Sequence, residues 1–251
     1  MTRTTMNWLQ RPPSGTAAAR VFCIPHAGCG VSVFRNWPAQ HGSAEFLAID
    51  LPGRLTRFSE PMPDTFQELA VGLVDGLAPC LDVPFIVFGH CWAALAAYEM
   101  AFELRRQGLP VPERIVASSQ LAPQDEMIAR MLDMDDAQLK AELEKVLHDM
   151  GQRPHPELVA IYVDILQADL DMIRRYVPSD PGSLPCPVTA LGWREDTEIT
   201  PDQMHGWSAC PETTFAVLSG EHSRFIDAPT ELIEMLAGAG QRGRSATGTE
   251  R

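Results

Sequence analysis

The stretch Phe85-Ile86-Val87-Phe88-Gly89-His90-Cys91-Trp92-Ala93-Ala94-Leu95-Ala96-Ala97-Tyr98-Glu99 constrains the fold more than any other part of the chain. It opens as an apolar run of strand character and turns sharply between Gly89 and Ala93. It then continues in Ala, Leu, Tyr, Glu and Met, mostly residues compatible with a helix. A strand that turns tightly into a helix lifts one side chain above the end of a sheet, which is the form of a nucleophile elbow. The usual pattern is G-x-S-x-G; here it reads G-x-C-x-A, with Cys91 where serine is expected. A second reading stays open from these residues alone, because free cysteine is often just a small buried hydrophobe.

The rest of the chain alternates between strand and helix patterns. Ala19-Arg20-Val21-Phe22-Cys23-Ile24 reads as a buried strand and runs into the Gly-bearing turn Pro25-His26-Ala27-Gly28-Cys29-Gly30. Val31, Phe34 and Trp37 follow with the spacing of one helix face. The turn is either an ordinary strand-to-helix connection or a device that aims N–H groups into a site. Glu45–Ile49 is the next strand, followed by Asp50-Leu51-Pro52-Gly53-Arg54-Leu55-Thr56-Arg57, where Pro-Gly marks a tight turn. Arg54 and Arg57 read as anion ligands or as solvated surface arginines. Phe66, Leu69, Leu73, Val74 and Leu77 recur with helical period, and a helix over 92–107 follows the elbow. Arg114–Ser118, Val188–Gly192 and Thr214–Leu218 complete the strands, and a last helix starts after Pro229.

Residues 124–176 carry apolar residues at helical spacing with no strand signal, notably Met127, Ile128, Met131 and Leu132, then Leu139 and Leu143, then Leu158, Ile161, Tyr162, Ile165 and Leu166. This predicts a helical insertion between strands, and such insertions act as lids over a site. Its methionines, including Met127, Met131, Met134, Met150 and Met172, read as plain packing or as an adaptable surface for an apolar acyl chain. Residues 1–237 are expected to form one domain, and the Gly-, Arg-, Ser- and Thr-rich tail from 238 to 251 to be disordered.

Charge and cysteine usage narrow the function. A formal net charge of -13 argues against nucleic-acid or anionic-membrane binding, both of which call for basic patches. No stretch approaches the ~20 apolar residues of a membrane span. The N-terminus lacks an apolar signal core, so a cytoplasmic protein is expected. The cysteines at 23, 29, 80, 91, 186 and 210 show no C-x-x-C spacing, and no local ligand cluster points to a metal.

Strand ends supply three chemical groups in the order Cys91, Asp196, His222. A nucleophile, an acid and a histidine in that chain order match the α/β-hydrolase arrangement. The nucleophile needs a base to take its proton, and the base needs an acid to fix its tautomer. The oxyanion needs N–H donors, which such an elbow draws from the residue after the nucleophile, Trp92, and from an early strand-to-helix turn, at Ala27. Glu195 and Glu198 are rival acids, His26 lies in the early turn where it can touch substrate, and His90 is expected to point away from Cys91.

Taken together these segments resemble the stand-alone (type II) thioesterases that serve nonribosomal peptide and polyketide assembly lines. Phe22-Cys23-Ile24-Pro25-His26-Ala27-Gly28-Cys29-Gly30 with Phe34-Arg35-Asn36-Trp37 is similar to that family's F-P-x-A-G-G…F-x-x-W opening. Pro52-Gly53-Arg54…Arg57…Glu60-Pro61 matches P-G-R-x-x-R-x-x-E-P, and Gly89-His90-Cys91 with Glu99 resembles G-H-S…E. Gln167-Ala168-Asp169 resembles the lid's R-A-D, while Gly192…Asp196 and Gly220-Glu221-His222 are similar to the acid and histidine segments.

The resemblance implies an α/β-hydrolase fold, a mostly parallel sheet flanked by helices with a helical lid. It implies a thioesterase with no cofactor of its own, whose substrates ride as thioesters on the phosphopantetheine of an acyl or peptidyl carrier protein. Cys91 takes the nucleophile position, Asp196 the acid, His222 the base, and Ala27 and Trp92 the oxyanion positions. Substrate contacts are expected at His26, Met127 and Met131. Two departures stand out, Cys91 for serine and Ala93 for the second elbow glycine. The first opens acyl transfer to another thiol or amine beside hydrolysis. The dienelactone-hydrolase branch also uses an elbow cysteine, but F-C-I-P-H-A-G and P-G-R speak against it. A non-catalytic carrier-binding protein is the reading from another class.

Overall fold

The computed structural model describes residues 8–127, 131–149 and 155–239. Its centre is a seven-stranded sheet built from β1 (Ala19–Ile24), β2 (Gln40–His41), β3 (Ala44–Ala48), β4 (Phe85–His90), β5 (Arg114–Ser118), β6 (Val188–Trp193) and β7 (Thr213–Leu218). The strands lie in the order β2-β3-β1-β4-β5-β6-β7. Neighbours pair in parallel except at the short hairpin of β2 with β3. Sequence reading missed β2, whose two exposed residues carry no apolar signal.

Parallel strands covered on both faces should be apolar throughout, and β1, β3, β4 and β6 are buried along their whole length. Alternate side chains serve two cores. Phe22, Ile24, Phe85 and Val87 face one, while Val21, Cys23, Ile86 and Phe88 face the other. The first core is closed by α1 (Phe66–Leu77) and α2 (Trp92–Arg106), and the second by α5 (Thr230–Ala239) with the turn around Val31, Phe34 and Trp37. That turn is a single 3-10 segment, Val31–Phe34, rather than the regular helix its spacing suggests. Its side chains still pack inward, with Phe34 and Trp37 edge to face at 5.0 Å.

The insertion between β5 and β6 contains α3 (Asp136–Asp149) and α4 (Pro156–Arg174). The helical period read into Met127–Leu132 is not realised at its described ends, which form irregular chain and turns. The buried apolar residues of α4 are Val159, Val163, Ile165, Leu166, Leu170, Met172 and Ile173, whereas Leu158 is 51% and Tyr162 36% exposed. Ile165 and Leu166 of the expected stripe are buried, but Leu158 and Tyr162 are not, because the helix carries apolar residues on more than one side. Ile128 and Met150 of the expected stripe, and the tail from 240, lie outside the described residues. Among the described residues no helix is long and apolar enough to cross a membrane.

Strand register decides what meets at the carboxyl ends of the sheet. Ile24 pairs with Gly89, which sets the turn after β1 beside the elbow. His90 pairs with Ser118, and Trp193 with Leu218, which brings the loops after β5, β6 and β7 to the same edge.

Candidate active site

Cys91 links β4 to α2 with φ 53° and ψ -134°. A non-glycine residue in this region is strained, and such strain persists only where the surroundings impose it. Here they do so from both sides. The Cys91 N–H donates to the Ser118 carbonyl at 2.8 Å, and the Cys91 carbonyl accepts the Ala94 N–H at 2.8 Å. The turn is tight enough that a Cβ on Gly89 would sit 2.3 Å from the Ala93 carbonyl oxygen, so glycine is required. The methyl of Ala93, by contrast, is fully buried in the first core. The N-terminus of α2 points at this place, where the helix dipole favours negative charge.

His222 and Asp196 complete the constellation. His222 Nδ1 lies 2.9 Å from Asp196 Oδ2, and the Cys91 side chain is among the groups that raise His222. Burial works against a charged imidazole, but hydrogen bonds to Asp196 and Cys91 and their charges outweigh it, pushing His222 up to about 10. Asp196 is itself buried, which opposes its ionisation. Bonds from His222, Ser119 and the Ile199 N–H prevail and hold it below the usual carboxylate range. Its Oδ1 accepts the N–H groups of Glu198 at 2.8 Å and Ile199 at 3.1 Å, and its Oδ2 accepts the Ser119 hydroxyl at 2.7 Å. The rival acids Glu195 and Glu198 are exposed, and Glu195 bonds the Gly220 N–H.

Sequence reasoning missed Ser119 and the layer behind His222. Ser119 adopts φ 45°, which aims its hydroxyl at Asp196. His90 does not lie in inert core. Its ring stacks on Phe225 at 4.1 Å and meets His222 edge-on at 4.5 Å. His90 Nδ1 pairs with Ser118 Oγ at 3.0 Å, and that oxygen also accepts the Trp193 indole at 3.0 Å. Burial and the neighbouring His222 and His26 keep His90 well below its ordinary value, so it backs His222 as a neutral ring.

Arg54 and Arg57 are neither anion ligands nor solvated. Both are buried, and each is paired with a carboxylate, Arg54 with one distant in sequence and Arg57 with one three residues on. Arg54 forms a bidentate pair with Asp169 of α4, Nη1 to Oδ2 at 3.0 Å and Nη2 to Oδ1 at 2.8 Å. Arg57 binds Glu60 and the Asp50 carbonyl, with its guanidinium 4.0 Å above the Trp8 ring. Asp50 likewise serves this turn, accepting the Thr56 hydroxyl.

His26 is half-buried, with Nε2 3.3 Å from Cys29 Sγ and its ring edge-on to Phe225 at 5.4 Å. Burial, with the charges of His222 and Arg54, lowers it to about 4. Met127 and Met131 are half-buried against the first core. Met127 also lines a cleft of about 400 Å³ together with Pro123, Leu132, Ile173, Tyr176 and Pro178.

Residues 19–239 match the family model of the thioesterase domain. The chain belongs to the thioesterase domain family. The thioesterase is 28% identical over 234 residues to the gramicidin S biosynthesis protein GrsT of Aneurinibacillus migulanus, covering 89% of each chain. Among solved structures it superposes on the type II thioesterase BorB of the borrelidin biosynthetic cluster with a TM-score of 0.78 and 25% identity, over 93% of this chain and 98% of BorB. It also superposes on RedJ, a thioesterase of the prodiginine pathway in Streptomyces coelicolor, with a TM-score of 0.70 and 29% identity, over 94% and 98% of the two chains. The fold of the thioesterase is therefore that of the α/β-hydrolases, and the insertion holding α3 and α4 occupies the lid position expected from sequence.

Proposed function

We propose that this thioesterase acts on acyl or aminoacyl groups carried as phosphopantetheine thioesters on carrier proteins of a secondary-metabolite assembly line. The observation that carries the reading is the His222–Asp196 hydrogen bond beside Cys91, which is raised on a strained elbow. The pathways named for GrsT, BorB and RedJ support the substrate class.

In the proposed reaction His222 holds the proton of Cys91, and Asp196 steadies the resulting imidazolium. The Cys91 sulfur attacks the thioester carbonyl, and the N–H groups of Ala27 and Trp92 receive the oxyanion. The carbonyl re-forms, the bond to the pantetheine sulfur breaks, and His222 returns the proton to that sulfur. The acyl group is now a thioester on Cys91. Water, deprotonated by His222, then attacks it and releases the acid. His26, Met127 and Met131 are proposed substrate contacts.

A second reading, acyl transfer to another thiol or an amine, is favoured by Cys91 itself. Exchange of one thioester for another is nearly isoenergetic, so an acyl-Cys91 stays reactive toward a second thiol. One experiment separates the readings. An acyl-loaded carrier protein is mixed with wild type, Cys91→Ser or Cys91→Ala, with and without an empty carrier, and intact masses are followed. Release of free acid without an acceptor, lost in Cys91→Ala, supports hydrolysis. An adduct on Cys91 that discharges only to the second carrier supports transfer. Neither loss nor adduct across a panel of acyl groups leaves a carrier-binding protein without chemistry.

A further inference from the structure

One lid residue touches both sides of the proposed oxyanion hole. Asp169 lies on α4, far in sequence from the early turn and from the elbow. Its Oδ2 accepts the Gly28 N–H at 2.8 Å, at the peptide directly after Ala27. Its main-chain carbonyl accepts the Trp92 indole N–H at 3.1 Å. Arg54, clamped to the same carboxylate, donates from Nη1 to the Cys29 carbonyl at 2.8 Å. The turn is thus gripped at successive peptides, by Asp169 at Gly28 and by Arg54 at Cys29. Gly28 sits at φ +71°, and a Cβ there would come within 3.3 Å of Leu166 on the same lid helix.

We infer that Asp169, with Arg54, is a positioning residue that couples the lid helix to the oxyanion hole by holding the Ala27–Cys29 turn and the Trp92 side chain. The physical need is plain. Oxyanion donors act only when preorganised at hydrogen-bond distance from where charge develops. A glycine-bearing turn in the left-handed region has little stiffness of its own, and here it is stiffened by a buried ion pair that belongs partly to the lid. A shift of α4 that breaks this pair releases the turn as well. The site then carries its full set of donors only with the lid seated. The inference rests on the proposed roles of Cys91, Ala27 and Trp92.

The test separates positioning from folding. Two variants are compared with wild type, Asp169→Asn and the double variant Arg54→Met/Asp169→Leu. Removing both charges together avoids stranding one of them in the interior, and such replacements are often neutral for stability. Active sites are counted by alkylation of Cys91 with iodoacetamide, a reaction that needs no oxyanion hole. Turnover of an acyl-pantetheine thioester is then expressed per reactive site. The expected result is a kcat lower by about 10-fold to 100-fold in the double variant, somewhat below the cost of deleting a donor outright. Asp169→Asn should fall between the double variant and wild type, with KM within ~3-fold of wild type and the alkylation rate unchanged. Turnover per site within ~2-fold of wild type in the double variant overturns the inference. If the double variant does not fold, the same comparison on Asp169→Asn decides. Cys91→Ala runs alongside: if it retains turnover, the proposed nucleophile is wrong, which is a different failure from a silent Asp169.

Discussion

Replacing Asp196 with asparagine should disable the site through a change of tautomer rather than of shape. Asp196 Oδ1 accepts two main-chain N–H groups, those of Glu198 and Ile199. An asparagine can satisfy both only by placing its carbonyl oxygen there. Its NH2 must then occupy the Oδ2 position, 2.9 Å from His222 Nδ1. The amide donates where the carboxylate accepted, so His222 carries its proton on Nε2, the nitrogen that receives the Cys91 proton in the proposed reaction. The imidazolium loses both the charge and the hydrogen bond that oppose burial. The rise from 6.5 to about 10 corresponds to roughly 5 kcal/mol at 1.36 kcal/mol per tenfold. Most of it should vanish, lowering kcat by about 10³- to 10⁴-fold, near the ~10⁴-fold that the matching change costs in a serine triad. The assay is single-turnover release from an acyl-pantetheine thioester at pH 7.5, with His222 followed by NMR titration. A loss under 10-fold, or a His222 that still titrates near its wild-type value, refutes the tautomer change.

Glu99 of α2 is buried and accepts the Tyr176 hydroxyl at 2.7 Å, the Ser179 N–H at 3.0 Å and the Ser179 hydroxyl at 2.8 Å, latching the chain that leaves the lid. Glu99→Ala strands these donors at about 1–3 kcal/mol each, so calorimetry should record a Tm lower by at least about 6 °C, whereas Glu99→Gln keeps an acceptor and should lose much less. The raised His222 also makes stability pH-dependent. A folded-state value above the unfolded one stabilises fully below about 6.5 and is lost as pH rises through about 10. Urea unfolding of wild type against His222→Gln should therefore show an advantage of at most about 5 kcal/mol at pH 6 that shrinks toward pH 10, and an advantage that grows with pH contradicts the assignment.

Much of the scaffold was legible because it rests on local periodicity. The apolar runs at 19–24, 85–88, 114–118 and 188–192 lie in strands of the structure, and the helices starting at 66, 92 and 230 begin where their apolar spacing begins. The elbow was legible because a strand, a glycine and a helix former in immediate succession allow few geometries. Where the signal was ambiguous the reading slipped. Val31–Phe34 became a 3-10 turn, and α4 buries Ile165 and Leu166 of the expected stripe but leaves Leu158 and Tyr162 outside, because its apolar residues spread around the helix.

By itself, then, the sequence determined the alternation of elements, the elbow at Cys91 and which loops end the strands, since each depends on residues within a few positions of one another. Only the tertiary structure decided which carboxylate meets His222, why Ser119 turns toward it, and why His90 lies behind it. Those relations depend on strand register across separations of 77 residues for Ser119–Asp196 and 26 for Asp196–His222. It also decided that Arg54 is no free cation, because its partner Asp169 lies 115 residues away on the lid. A buried charge must find its counter-charge wherever the fold brings one, and no local pattern announces where that is.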